Sequence, residues 1–281
     1  MSTRRNHPTS THRRLTAMIA LILATLLGTF VTSGATGAPS TAGSNGATKP
    51  TIVFVHGAFA DSSGWNTVVG RLIADGYPVL AFSNPLRGPH ADGEYLRQFL
   101  STITGPVVLV GHSYGGAVIT NGATGNPNVR ALVYVAAYAL DEGETVQAAN
   151  DLGGGHTDVT HHLVLRPFPG ASGGDADAYI DPAYFHDLFA QDLPRSTTQV
   201  MAATQRPGAL AALVTPSGPP AWKTIPSWFL VASQDRIIPP EAERYMADRA
   251  DATTVEIDSS HVAMMSHPGA VTKLIRQAAG N

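Results

Sequence analysis

The segment Gly111-His112-Ser113-Tyr114-Gly115 sets a serine between two glycines, directly after the apolar run Val107 to Val110 and directly before Gly116-Ala117-Val118-Ile119. A strand that turns this sharply into a helix strains the backbone at the serine and lifts its hydroxyl above the sheet, while the glycines let strand and helix approach. The new helix also aims its first amides at whatever the hydroxyl attacks. The five-residue pattern recurs by chance; its place after a buried run gives it weight. A serine hydroxyl is a poor nucleophile until a base takes its proton. His261, in Ser259-Ser260-His261 after the last β-branched run, is the candidate base, whereas His267 precedes Pro268 and suits a helix start. A neutral imidazole needs a carboxylate to fix its tautomer and stabilise the imidazolium. Asp235, just beyond the run Ser227 to Ala232, is the preferred acid, and Asp141, beyond the preceding strand, is its rival. The negative charge that develops on an attacked carbonyl needs backbone donors. The amide of Tyr114 is one candidate. The turn His56-Gly57-Ala58-Phe59 supplies the other, with Phe59 favoured and Ala58 next. His56 reads as a structural hydrogen-bonding group of that turn.

Such a set works only if separate elements bring it to one edge. Thr51 to Val55, Pro78 to Phe82, Val107 to Val110, Ala131 to Ala136, Ser227 to Ala232 and Thr253 to Ile257 read as short buried strands. Between them lie helical spacings: Trp65, Val68, Val69, Leu72 and Ile73 on one face, then Leu96, Phe99 and Leu100. Later helices run from Pro240 to about Arg249 and from Pro268 to about Ala279. Strands alternating with helices mean a mainly parallel sheet of about six strands, covered on both faces. Residues 139 to 222 break the alternation with glycine clusters, prolines and scattered aromatics, and read as an inserted cap, helical near Ala183 to Gln191 and Ser196 to Ala203. Trp222, Trp228, Phe185 and Phe189 are either pocket walls or simply core.

The chain has 281 residues and no cysteine, which excludes disulfides, thiolate catalysis and Cys-bound zinc. The formal net charge of −3, with no basic run beyond the N-terminus, argues against nucleic acid as a partner. His156, Asp158, His161 and His162 crowd together in the cap, but their spacing fits no metal signature, and Gly153-Gly154-Gly155 follows no strand, so it is not a phosphate loop. Neither a cofactor nor a metal is expected. Arg4, Arg5, Arg13 and Arg14 precede the uncharged run Leu15 to Val31, and small residues follow to Ala35. This is the layout of a secretory signal peptide over residues 1–35, with a flexible lead-in over 36–50 and the folded domain over 51–281. A secreted protein without a stable membrane partner is the expectation.

With these residues in view the chain resembles the α/β-hydrolase superfamily, in the branch that holds hydroxynitrile lyases, methyl esterases and EstC-like bacterial esterases. The resemblance rests on FVHGAF with SGW at Phe54 to Trp65, GHSYGG at Gly111 to Gly116, VYVAAY at Val133 to Tyr138 and SSHVAMMSHP at Ser259 to Pro268. It implies the α/β-hydrolase fold, Ser113, Asp235 and His261 as triad, and Phe59 and Tyr114 as oxyanion donors. Lyases of this branch carry a lysine after the histidine and a threonine after the strand-end histidine, where this chain has Val262 and Gly57. The implied reaction is hydrolysis of a small-molecule carboxylic ester through an acyl-enzyme. The same triad also suits cofactor-free haloperoxidase, perhydrolase or lyase chemistry, and the pocket alone would suit a non-catalytic binding protein.

Overall fold

The computed structural model describes residues 48–280. The expected signal peptide lies outside the described residues, as does most of the lead-in. The elements run β1 (Thr51–Val55), α1 (Asn66–Ala74), β2 (Val79–Phe82), α2 (Pro89–Leu100), β3 (Val107–Ser113), α3 (Tyr114–Gly122) and β4 (Val129–Ala137). An inserted stretch follows, holding α4 (Val146–Ala149), β5 (Leu163–Arg166), β6 (Asp177–Ile180), α5 (Pro182–Phe189), α6 (Arg195–Thr204), β7 (Gly208–Ala209) and α7 (Leu210–Val214). The chain then completes the main layer with β8 (Ser227–Ala232), α8 (Pro240–Arg249), β9 (Thr253–Ile257), α9 (Ala263–Ser266) and α10 (Pro268–Ala278).

The main sheet has six strands in the order β2-β1-β3-β4-β8-β9. Every pairing in it is parallel, as the alternation of strands and helices requires. β3 is buried at all seven positions, and β4 at all but Arg130, because helices cover both faces of the sheet centre. The outer strands β2 and β9 carry mostly exposed or half-buried residues. Trp65, Val68 and Leu72 pack inward from the first helical turns as their spacing predicts, but Ile73 is 58% exposed. It falls at the margin of the apolar stripe, where burying Leu72 turns it to solvent.

The insert contains the two expected helices, as α5 and α6. It also holds an antiparallel three-stranded sheet, β5-β6-β7, that the sequence reading did not anticipate. The cap is sewn to the core beside the sheet's carboxyl edge. Ala209 donates to the carbonyl of Leu86 at 3.0 Å, and Arg87 pairs with Asp177 at 2.6 Å.

Candidate active site

Ser113 ends β3 with φ 54° and ψ −128°, a left-handed backbone that non-glycine residues rarely adopt. The neighbouring glycines are required by contact. A Cβ on Gly115 would stand 2.2 Å from the carbonyl oxygen of Val55, and one on Gly111 would stand 2.7 Å from that of Gly115. A Cβ on Gly57 would press to 2.6 Å from the Cβ of Ser113 itself. The serine is thus clamped between the β1 turn and the first turn of α3.

His261 is fully buried in the loop after β9, and its Nδ1 donates to Asp235 Oδ2 at 2.5 Å. Asp235 sits in the loop after β8, and its other oxygen accepts the amides of Ile237 at 2.7 Å and Ile238 at 3.0 Å. These bonds fix the carboxylate, and the carboxylate fixes the imidazole, leaving Nε2 of His261 buried with no partner among the described residues. The carbonyl of His261 accepts from Nε2 of His112 at 2.9 Å, which ties the histidine loop to the residue just before Ser113. Burial, together with the neighbouring His261, holds the His112 pKa well below the ordinary histidine value, so it remains a neutral tether. From the cap, Asp192 accepts the Ser260 amide at 2.9 Å and its hydroxyl at 2.5 Å. Burial works against the charge of Asp192, but the hydrogen bonds from Ser260 outweigh it and hold its pKa below the usual carboxylate value.

The structure therefore brings Ser113, Tyr114, Asp235 and His261 to one edge and leaves Asp141 aside. That rival acid is bound to Lys223 at 2.5 Å near the surface. The preference for Phe59 as an oxyanion donor needs correction. Its amide donates to the carbonyl of Arg206 at 2.8 Å, and one N–H serves one acceptor well. Of the two candidates, Ala58 is the one whose amide has no acceptor among the described residues. His56 behaves as a turn residue: Nδ1 bonds the Gly57 carbonyl at 2.9 Å, and Nε2 accepts the Asn84 amide at 3.1 Å.

A cavity of about 50 Å³ lies over Ser113, walled in part by Ala58, Tyr138, Asn150 and Ile237. Among the described residues no charged side chain lines it. Gln147, Thr160, Leu163 and Leu213 form a wall shared with a larger, open groove of about 500 Å³ on the cap. Phe185 and Phe189 are core rather than pocket, and Phe189 packs its edge against the His261 ring at 5.0 Å between centroids. In the cap cluster, His156 contacts Asp158 at 3.2 Å, and His162 stacks on Tyr184 at 3.9 Å between centroids.

Two contributors escaped the sequence reading. Tyr138 follows β4 at the same edge and donates to Asn150 at 2.9 Å. Glu243 is wholly buried beside Asp235. Its signal was available, since it falls on one helical face with Met246 and Ala247, where an acid is out of place.

Known proteins bear on this geometry. A family model described as "Alpha/beta hydrolase family" matches residues 52–274. The alpha/beta hydrolase nvfD of Aspergillus novofumigatus is 28% identical over 253 residues, covering 83% of this chain and 97% of that protein. Among solved structures, polyneuridine aldehyde esterase superposes with a TM-score of 0.69 at 19% identity, over 82% of this chain and 98% of its own. A pyrethroid hydrolase from Sphingobium faniae gives 0.67 at 22% identity, over 82% of this chain and 97% of its own.

Proposed function

The chain belongs to the alpha/beta hydrolase family, and from that premise we propose that it hydrolyses an uncharged carboxylic ester through an acyl-enzyme on Ser113. The observation that carries this reading is the elbow serine at the sheet edge that also holds the buried Asp235–His261 pair, with His261 Nε2 left without a hydrogen-bond partner among the described residues. Ser113 Oγ attacks the ester carbonyl carbon while His261 Nε2 takes its proton. The carbonyl oxygen, now negative, enters the hole formed by the amides of Ala58 and Tyr114. Collapse of this intermediate breaks the acyl–alkoxy bond, and the imidazolium returns the proton to the departing alcohol. Water then repeats the sequence on the acyl-serine, with His261 taking a proton from water and giving it back to Ser113. Asp235 stays ionised and holds the imidazole in the required tautomer.

The cavity lining supports a neutral substrate, because an ionised acid or amine placed there would lose its hydration without gaining a partner. The open cap groove beside it gives room for a bulky apolar group. Cyanohydrin cleavage fits less well. A threonine side chain at Gly57 would collide with Ser113, and Val262 keeps its position apolar and buried. The test is a burst of p-nitrophenol from a short-chain ester, with stoichiometric fluorophosphonate labelling of Ser113. Mandelonitrile cleavage without ester turnover would reject the assignment.

A further inference from the structure

α8 places an acid on its buried stripe, directly behind the carboxylate that holds His261. Glu243 is wholly buried, and its two oxygens meet different surroundings. Oε2 accepts the amide of Ala232 at 3.2 Å. Oε1 is buried and finds no donor among the described residues. Asp235 is tied to Ala232 as well, its amide donating to the Ala232 carbonyl at 3.1 Å, and it is the negative charge that acts most strongly on this carboxyl. An ionised carboxylate offers about four acceptor sites. Asp235 fills three of them with Ile237, Ile238 and His261. Two ionised carboxylates in contact inside apolar packing repel each other, so one of the pair carries a proton. Asp235, with three donors aimed at it, is the one that stays charged. A buried oxygen that no donor reaches is satisfied by being the donor.

We propose that Glu243 is kept as the neutral acid and donates from Oε1 to the remaining acceptor site of Asp235, a positioning residue that makes the triad a chain of four. This rests on the triad reading above. Burial first, then the negative charge of Asp235 and the bond to it, push the Glu243 pKa well above the ordinary glutamate value. The charged and titratable groups around it are few. Arg244 is the neighbouring cation, but its guanidinium is turned to Glu256 at 2.8 Å. The Tyr138 hydroxyl is close enough for Asp235 and Glu243 both to hinder its ionisation, behind burial as the main cause. The donated hydrogen bond draws charge from Asp235 and so tempers its pull on the imidazolium that forms during turnover.

The experiment compares Glu243→Gln and Glu243→Met in the full protein. Glutamine can still donate to Asp235 and accept from Ala232, so kcat should stay within about threefold and the acid limb of the pH profile should not move. Methionine fills the volume without donating. There kcat should fall about tenfold with KM nearly unchanged, and the acid limb should move to higher pH. A downward shift of the limb in Glu243→Gln would mean that a negative charge had been removed, and would overturn the proposal. So would a methionine variant with wild-type kcat and wild-type limb.

Denaturation provides a reading that needs no turnover. If folded Glu243 keeps a proton that the unfolded chain releases, wild-type stability falls as pH rises above the ordinary glutamate range. Glu243→Gln lacks this loss, so its advantage in denaturation midpoint should widen from about pH 5 to about pH 8. An equal gap at both values overturns the proposal. Absence of ester turnover in the wild type would instead sink the triad reading and leave this arm intact.

Discussion

A serine forced to φ 54° presents its hydroxyl at the cost of a conformation that L-residues avoid, and smaller replacements leave the surrounding packing undisturbed. Ser113→Ala should therefore abolish ester turnover and fluorophosphonate labelling while the circular dichroism spectrum and melting curve stay near wild type; residual labelling at another serine would displace Ser113 from its role. The two acids separate in the same assay. Asp235→Asn should lower kcat by about three to four orders of magnitude, since the imidazole loses its orienting carboxylate. Asp141→Asn, which only frees Lys223, should stay within about twofold, and the reverse ranking would show that the acid lies after β4. At this scale the gathering of Ser113, Asp235 and His261 at one sheet edge was legible, because each comes shortly after a strand signal. Which turn amide stays free was not. Choosing between Ala58 and Phe59 depended on the Arg206 carbonyl, which no local pattern places beside Phe59.

The elements were readable where period and β-branching agree. TIVFV, VVLV and TTVEI are apolar or β-branched runs bounded by breakers, and each became a parallel strand. β5, β6 and β7 were not readable, because four-residue and two-residue antiparallel strands leave no periodicity to detect. The strand-to-helix elbow makes the sharpest demand at this scale. Gly115→Ala would drive a methyl group into the Val55 carbonyl, with the carbonyl held by β1 and the glycine by the first turn of α3. It should cost about 3 kcal/mol in urea unfolding and disable the serine with it; an alanine variant with wild-type stability and turnover would show that the elbow relaxes. Asp192 couples two elements rather than stabilising one. Asp192→Ala frees the Ser259-Ser260 turn, so kcat should fall about tenfold with little change in melting, and a variant with unchanged kcat would show that the tether is dispensable.

For the whole molecule, the N-terminal pattern predicts export and a mature chain beginning near residue 36. N-terminal sequencing of protein from culture medium checks this, and a chain starting at Met1 would reject it. The small cavity over the serine and the cap groove beside it predict a length profile. Raising the acyl chain from acetate to octanoate should increase kcat/KM, and Leu213→Trp, at the shared wall, should cancel the gain on octanoate while sparing acetate. A flat profile would mean that the cap groove takes no part. The bond from the Phe59 amide to the Arg206 carbonyl has a consequence for how such proteins diversify. It makes the cap a structural partner of the turn at Ala58–Phe59, not a detachable cover. A cap transplanted from a relative would bring its specificity only if the graft also carried the turn at Ala58–Phe59. Recombination is therefore expected to join whole cap-and-turn sets. Insertions should instead collect at the tip of the β5–β6 hairpin, where Gly170, Gly173 and Gly174 already sit at positive φ with open space around each.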